Sequence, residues 1–377
     1  MVASASPLLS DRQRLNWLRL IRTANVGPAS FRDLINRFGS AEAALEILPE
    51  LMISGGASRL PRIPAVSEIE AELELARKAG ARFVCIGEPD YPTPLKEIDN
   101  PPPVLAIKGD GAVLRMPAIS IVGSRNASLT GMKMARMLAA ELGRDGYAVV
   151  SGLARGIDTA VHQGSLDTGT IGILAGGVDQ PYPPENIELC TEIARRGGAI
   201  VSEMPFGWQP RAQDFPRRNR LVAGMAMGLV VVEAAQRSGS LISARLAGEM
   251  GRLVFAVPGS PLDPRAGGTN GLLKDGAILV TETADITGAI QPMAGSQPSF
   301  RASLEEPPDF SAIQPPGDTE RDRVVEALGP APVAIDDIIV HTSLHPAQVF
   351  MVLLELDLAG RLERHSGGQV SLLFNAG

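Results

Sequence analysis

The sequence is poor in the residues that metal, redox and disulfide chemistry require. It has two cysteines, Cys85 and Cys190, and four histidines in 377 residues. The cysteines lie far apart, with no second cysteine or histidine at ligand spacing, so neither a disulfide framework nor a zinc site is expected. Three of the four histidines fall after residue 340, which leaves no plausible metal cluster earlier in the chain. A reducing, cytoplasmic setting fits this cysteine usage. Long apolar runs are also missing. The longest, Leu221 to Ala235, contains two glycines and falls short of the ~18 residues that a spanning helix needs. The N-terminus has no cationic start followed by an apolar stretch, so neither export nor a membrane anchor is expected.

The composition belongs to a folded protein: 45% hydrophobic residues, only 4% aromatic, with 40 glycines and 30 prolines. A length of 377 residues against ~100 to 200 residues per domain predicts two or three domains. The net charge of -7 argues at first against nucleic acid. Nine acids and two bases between Ser303 and Asp337 account for all of it, however, so basic patches elsewhere keep their meaning.

Residues 11 to 60 carry apolar positions at helical spacing around the turn NVGPASF, with Ser40 placed to cap the helix that follows. Two helices joined by a glycine turn outline a helix-hairpin-helix or SAM-like module, which either contacts a DNA backbone or simply packs. Residues 61 to 104 read as a proline-spaced bridge with one helix from Ser67 to Ala79 and a short strand, ARFVCIG. Seven short apolar runs follow: Ile119–Val122, Ala148–Ser151, Ile171–Leu174, Ala199–Ser202, Leu229–Val232, Leu253–Val257 and Ile278–Val280. Most intervening stretches are helical, the βαβ rhythm of a parallel sheet covered by helices on both faces. The predicted organisation is α/β: a helical domain (1–66), a parallel-sheet core (67–290), a Pro/Ser-rich linker (291–317) and a winged-helix domain (318–377). The third helix of that last domain has no lysine or arginine from His345 to Gly360. A major-groove reader would carry side chains there, so a protein contact or a structural role is expected instead.

An open parallel sheet binds ligands at the carboxyl ends of its strands. Here those ends are rich in glycine and serine: Gly123-Ser124-Arg125, the Ser151–His162 stretch SGLARGIDTAVH, Gly176-Gly177, Ser238-Gly239-Ser240 and Pro258-Gly259-Ser260. Such turns expose amides at helix N-termini and suit anions. The stretch RAQDFPRRNR, Arg211 to Arg220, adds four arginines against one aspartate and reads as a basic loop pinned to the apolar run Leu221–Ala235 as a strand. Arginine forks grip phosphate oxygens. The chain lacks the third glycine of a dinucleotide fingerprint and has no Walker lysine motif, so no nucleotide cofactor is expected. Asp158 and His162, four apart beside Ser151, make a weak case for a hydrolytic dyad, because Ser151 lacks the Gly-x-Ser-x-Gly elbow. No catalytic residue is assigned.

Five stretches in fixed order, VGSRNAS (Val122–Ser128), SGLARGIDTAVHQGSL (Ser151–Leu166), FPRRNRLVAGM (Phe215–Met225), VVVEAAQRSGSLISARLAGEMGR (Val230–Arg252) and FAVPGS (Phe255–Ser260), resemble the bacterial DNA-processing protein A family, DprA/Smf. The resemblance implies an extended Rossmann-like core that forms homodimers, binds single-stranded DNA and loads the recombinase RecA during natural transformation. It places the DNA pocket at Gly123, Ser124, Arg125, Gly152, Arg155, Phe215, Arg217, Arg218, Asn219 and Ser240. With aromatics scarce, the grip is expected on the backbone, with Phe215 as an available stacking ring. Of Arg217 and Arg218, one is expected in the cleft and the other to brace the fold or the dimer, with Arg218 favoured for DNA. A competing reading is a phosphoribohydrolase of the cytokinin-activating type. That group carries Pro-Gly-Gly-x-Gly-Thr-x-x-Glu, of which only Pro258-Gly259-Ser260 remains here; Glu233 or Asp158 would be its essential acids. A third is a pure protein-interaction scaffold.

Overall fold

The computed structural model describes residues 9–60, 62–295, 315–365 and 367–373. They divide into two compact units. Most of the expected linker, residues 296–314, lies outside the described residues.

The larger unit starts within helix α4 and carries the sheet. In chain order after α1 (Asp11–Arg22), α2 (Pro28–Phe38) and α3 (Ala41–Ser54) come α4 (Val66–Lys78), β1 (Ala81–Cys85), α5 (Thr93–Lys96), β2 (Val104–Gly109), β3 (Ala118–Val122), α6 (Leu129–Arg144) and β4 (Ala148–Ser151). Then follow α7 (Ile157–Ser165), β5 (Thr170–Ile173), α8 (Ile187–Arg195), β6 (Ala199–Ser202), α9 (Asp214–Gly224), β7 (Gly228–Val231) and α10 (Ser240–Glu249). β8 (Leu253–Ala256), α11 (Gly267–Lys274), β9 (Ile278–Leu279) and α12 (Thr283–Gly295) complete it.

The nine strands lie in the order β1-β2-β6-β5-β4-β3-β7-β8-β9. From β6 to β9 every pairing is parallel, as the βαβ rhythm predicts. β1 and β2 add an antiparallel edge. β2 was hidden from the sequence pattern because its apolar run directly follows three prolines and reads as the end of a bridge. The chain leaves β3 for β4 on one side and later returns to pair β7 on its other side. β3 therefore marks the point where the winding reverses, and ligands of such sheets gather outside the strand ends there.

Packing follows from the same residues. Both faces of the central strands are covered, so β3, β4 and β7 are buried throughout and read as continuous apolar runs. Ser128 caps α6, its hydroxyl accepting from Gly131 N at 2.9 Å. Ala135, Leu138, Ala139 and Leu142 then recur at i, i+3, i+4 and i+7 and are all fully buried. Full burial of one such leucine is worth ~1.5–3 kcal/mol.

The expected basic loop is corrected by α9. Arg218, Leu221, Val222 and Met225 follow the same helical spacing and are all buried. Pro216 sits in the first turn, where it removes no helical hydrogen bond. Leu221 to Gly224 thus finish a helix, and the strand begins only at Gly228.

The smaller unit joins Leu9–Ile69 with the described residues from 315 onward. Ser40 caps α3 as expected, accepting from Ala43 N. The C-terminal part contains α13 (Asp318–Glu326), β10 (Val333–Ala334), α14 (Ile335–Thr342), α15 (Pro346–Leu358), β11 (Leu362–His365) and β12 (Gln369–Leu372), a winged-helix arrangement. One side of α15 packs in the winged-helix core through Val349, Val352, Leu353 and Leu356. Its Leu354 and Leu358 enter the core of α1–α3. Asn25 Nδ2 donates to Leu358 O at 3.1 Å, and Arg364 bonds both Asp357 and Asp33. The helix that would read a major groove is thus used for packing on both sides, which explains its lack of basic residues. No helix among the described residues is long and apolar enough to cross a membrane.

Candidate nucleic-acid interface

The carboxyl ends of β3, β4 and β7 open into a cleft of about 500 Å³. Its walls are the turn after β3 (Gly123–Asn126), Ala154 and Asp158 after β4, Arg237–Ser240 after β7, and Arg218 and Asn219 from α9. Each wall is held by local bonds. Ser124 Oγ accepts from Asn126 N at 3.1 Å, and Ile157 N, at the start of α7, donates to Ser124 O at 3.1 Å. The two turns approach so closely that a Cβ on Gly156, whose φ is +76°, would lie 2.3 Å from Ser124 O. Only glycine adopts that backbone without strain. Ser238 and Ser240 share a hydroxyl hydrogen bond of 2.7 Å at the N-terminus of α10.

The electrostatics favour an anion. Asp158 is buried, and its Oδ2 accepts from Gly152 N and Ala154 N, each at 3.2 Å. Burial lifts its carboxyl above the ordinary range, against the opposing pull of Arg218 and these two amides. Arg218 is itself 7% exposed, and its Nε has no hydrogen-bond partner. Burial disfavours its charge; Asp158 restores part of it, and Arg125 opposes it again. Two mutually repelling arginines at the mouth of the cleft are stabilised by a negative group between them.

The expected site residues separate in space. Gly123, Ser124, Arg125, Arg218, Asn219 and Ser240 line the cleft. Gly152 lies against the Arg218 guanidinium. Phe215 carries the Arg125 guanidinium over its ring, 5.5 Å from the centroid. Arg155 is exposed and pairs loosely with Glu185 at 3.6 Å. Arg217 is turned to Glu203, with Nε donating to Oε1 at 2.8 Å, and Arg220 binds the other oxygen of that nearly buried carboxylate. Arg237, Asn126 and Ser243 line the cleft without having been expected there. For Arg237 the signal was present, since it directly precedes the Ser238-Gly239-Ser240 turn.

The hydrolytic alternatives find their residues occupied. Ser151 Oγ donates to Ile121 O at 2.7 Å. His162 Nδ1 lies 2.8 Å from Thr170 Oγ1, whose hydroxyl donates to Val149 O, so the ring nitrogen is the donor to threonine. Burial pushes the His162 pKa down to about 3. Glu233 accepts from both Ser128 N and Ser128 Oγ and so braces the start of α6. Among the described residues no group of three or more potential metal ligands occurs.

A family model described as DNA recombination-mediator protein A matches residues 82–291. Models of a DprA-like N-terminal HHH domain and a DprA winged helix domain match residues 11–75 and 306–368. Protein Smf of Escherichia coli K12 is 36% identical over 285 residues, 75% of each chain. The X-ray structure of DprA from Streptococcus pneumoniae superposes with a TM-score of 0.60 at 32% identity, covering 74% of this chain and 98% of that one. A structure concerned with single-stranded DNA binding by Helicobacter pylori DprA gives a TM-score of 0.51 at 27% identity, covering 56% and 96%. By its sheet, by its two flanking domains and by these matches, the chain belongs to the DNA recombination-mediator protein A (DprA) family.

Proposed function

We propose that this protein binds single-stranded DNA through the cleft at the ends of β3, β4 and β7, and hands the strand to the recombinase RecA. The carrying observation is the convergence of Arg125 and Arg218 in one cleft, with the Arg218 Nε buried and unpartnered. Phosphate is the anion that suits this arrangement, because its several oxygens accept from two arginine forks at once. The single-stranded DNA bound by the Helicobacter relative supports the choice of ligand. We further propose that the protein works in the cytoplasm as a homodimer, without catalysis, during uptake of transforming DNA.

The test is a gel shift with single-stranded and duplex oligonucleotides of one sequence. Tighter binding of the single strand, weakened at least tenfold by Arg125→Ala or Arg218→Ala, is expected. Unchanged affinity in both variants would remove the cleft from the proposal. RecA transfer is tested separately, by whether the protein speeds RecA filament assembly on a strand coated with single-strand-binding protein. The oligomeric state follows from light scattering.

A further inference from the structure

Beside the cleft lies a row of side chains that phosphate binding leaves unexplained. Phe215, in the first turn of α9, meets Tyr182 edge to face, with ring centroids 5.7 Å apart and an interplanar angle of 63°. The Arg125 guanidinium lies over the same Phe215 ring. Arg125 lines the cleft, Phe215 touches Arg125, and Tyr182 touches Phe215. The three thus run without a break from the anion site to the loop after β5.

The two rings differ in what is left open. Phe215 is half-buried and already carries a cation. Tyr182 is 45% exposed, a large ring surface in a chain with few aromatics. Edge-to-face contact with Phe215 fixes its orientation. Close by, Arg155 pairs with Glu185, three residues beyond Tyr182, at 3.6 Å, with both side chains more than half exposed. Such surface pairs hold weakly, so Arg155 is free to exchange Glu185 for a phosphate.

We infer that Tyr182 is a base-stacking residue: it receives an unpaired nucleobase of the strand whose phosphate lies at Arg125, and Arg155 takes the neighbouring phosphate. Phosphate contacts carry no information about strandedness beyond backbone geometry. A stacking ring needs a base whose face is open, which a duplex does not offer, so Tyr182 supplies the preference for single strands. Phe215 becomes the support that aligns Arg125 and Tyr182, in place of the stacking ring expected from the sequence.

This inference rests on the single-strand reading above, and the test separates the two. Affinity is measured by fluorescence anisotropy for a thymidine oligomer and for an abasic oligomer of equal length, with the wild-type chain, Tyr182→Ala and Tyr182→Phe. Expected is a loss of about 5- to 150-fold for Tyr182→Ala on the thymidine oligomer. Tyr182→Phe should keep wild-type affinity, and all three proteins should bind the abasic strand alike. Wild-type binding to the thymidine oligomer that Tyr182→Ala leaves unchanged overturns the stacking role alone. Equal loss on both oligomers overturns it too, showing a structural effect. A wild-type chain that binds neither oligomer overturns the single-strand reading itself.

Discussion

The Arg218 guanidinium lies directly on Gly152: a Cβ added to that glycine would sit 1.6 Å from Nη1. The floor of the cleft is therefore set by an approach that only glycine permits, between the turn after β4 and the buried face of α9. Gly152→Ala should displace Arg218 and weaken single-stranded DNA binding. A hydrogen bond to a charged group is worth ~1.5–3 kcal/mol, or about 10- to 150-fold in affinity. Anisotropy with a short oligonucleotide measures this, and equal affinity in the variant would disconnect Gly152 from the ligand.

The two adjacent arginines should separate in their effects. Arg217 bonds Glu203, whose side chain is 5% exposed, so Arg217→Ala removes one of the arginines that pair with that carboxylate. Because Arg217 itself is 47% exposed, solvent screening brings the expected stability loss below the ~1.5–3 kcal/mol of a buried charged hydrogen bond, to ~1 kcal/mol. DNA affinity should change less than threefold. Arg218→Ala should show the larger effect on DNA. Urea melts and binding curves on the same preparations check both, and a reversed order would exchange the two roles.

Acid should destabilise the larger unit through His162. Its folded pKa of about 3 lies below the ordinary 6.5, so the unfolded chain binds the extra proton first. The contribution is fully present above pH 6.5 and is lost as pH falls toward 3, at ~1.4 kcal/mol per pH unit. Asp158, whose carboxyl is shifted upward, acts in the opposite direction, which makes a comparison of variants necessary. His162→Gln should flatten the fall in stability between pH 6.5 and 4 relative to wild type. Parallel curves would show that His162 is protonated in the folded chain.

In the smaller unit, a Cβ on Gly55 would lie 2.0 Å from the backbone oxygen of Glu355. Gly55→Ala should force α3 and α15 apart at a cost of ~1–3 kcal/mol. A thermal melt that shows no change would mean that this contact opens freely.

The parallel sheet was legible because β3 to β9 are short apolar runs separated by helical stretches, and burial on both faces leaves no other composition. The cleft was legible as far as it is built from turns: Gly123-Ser124-Arg125 and Ser238-Gly239-Ser240 stand at strand ends, and both line it. Helix α9 was missed although its buried stripe, Arg218-Leu221-Val222-Met225, has helical spacing. The arginine at its head disguised the pattern, since a buried arginine reads as a surface residue. The same spacing would have assigned Arg218 inward and Arg217 to the flank. β2 was hidden behind prolines. The Phe215–Tyr182 contact had no local signal at all, because the sheet alone brings together residues 33 positions apart. Likewise, nothing in the sequence tells that α15 serves the core of α1–α3 as well as its own.

The central claim is that Arg125 and Arg218 hold phosphates of a single strand. The most direct measurement is the salt dependence of binding to a thymidine oligomer, for wild type and for Arg125→Ala and Arg218→Ala. Each phosphate contact contributes a slope of ~0.7 in log affinity against log salt for single strands. Each variant should therefore bind more weakly and with a slope smaller by about 0.7. Affinity that falls while the slope stays at the wild-type value would contradict the account, since the arginines would then be supporting the fold and not neutralising the strand.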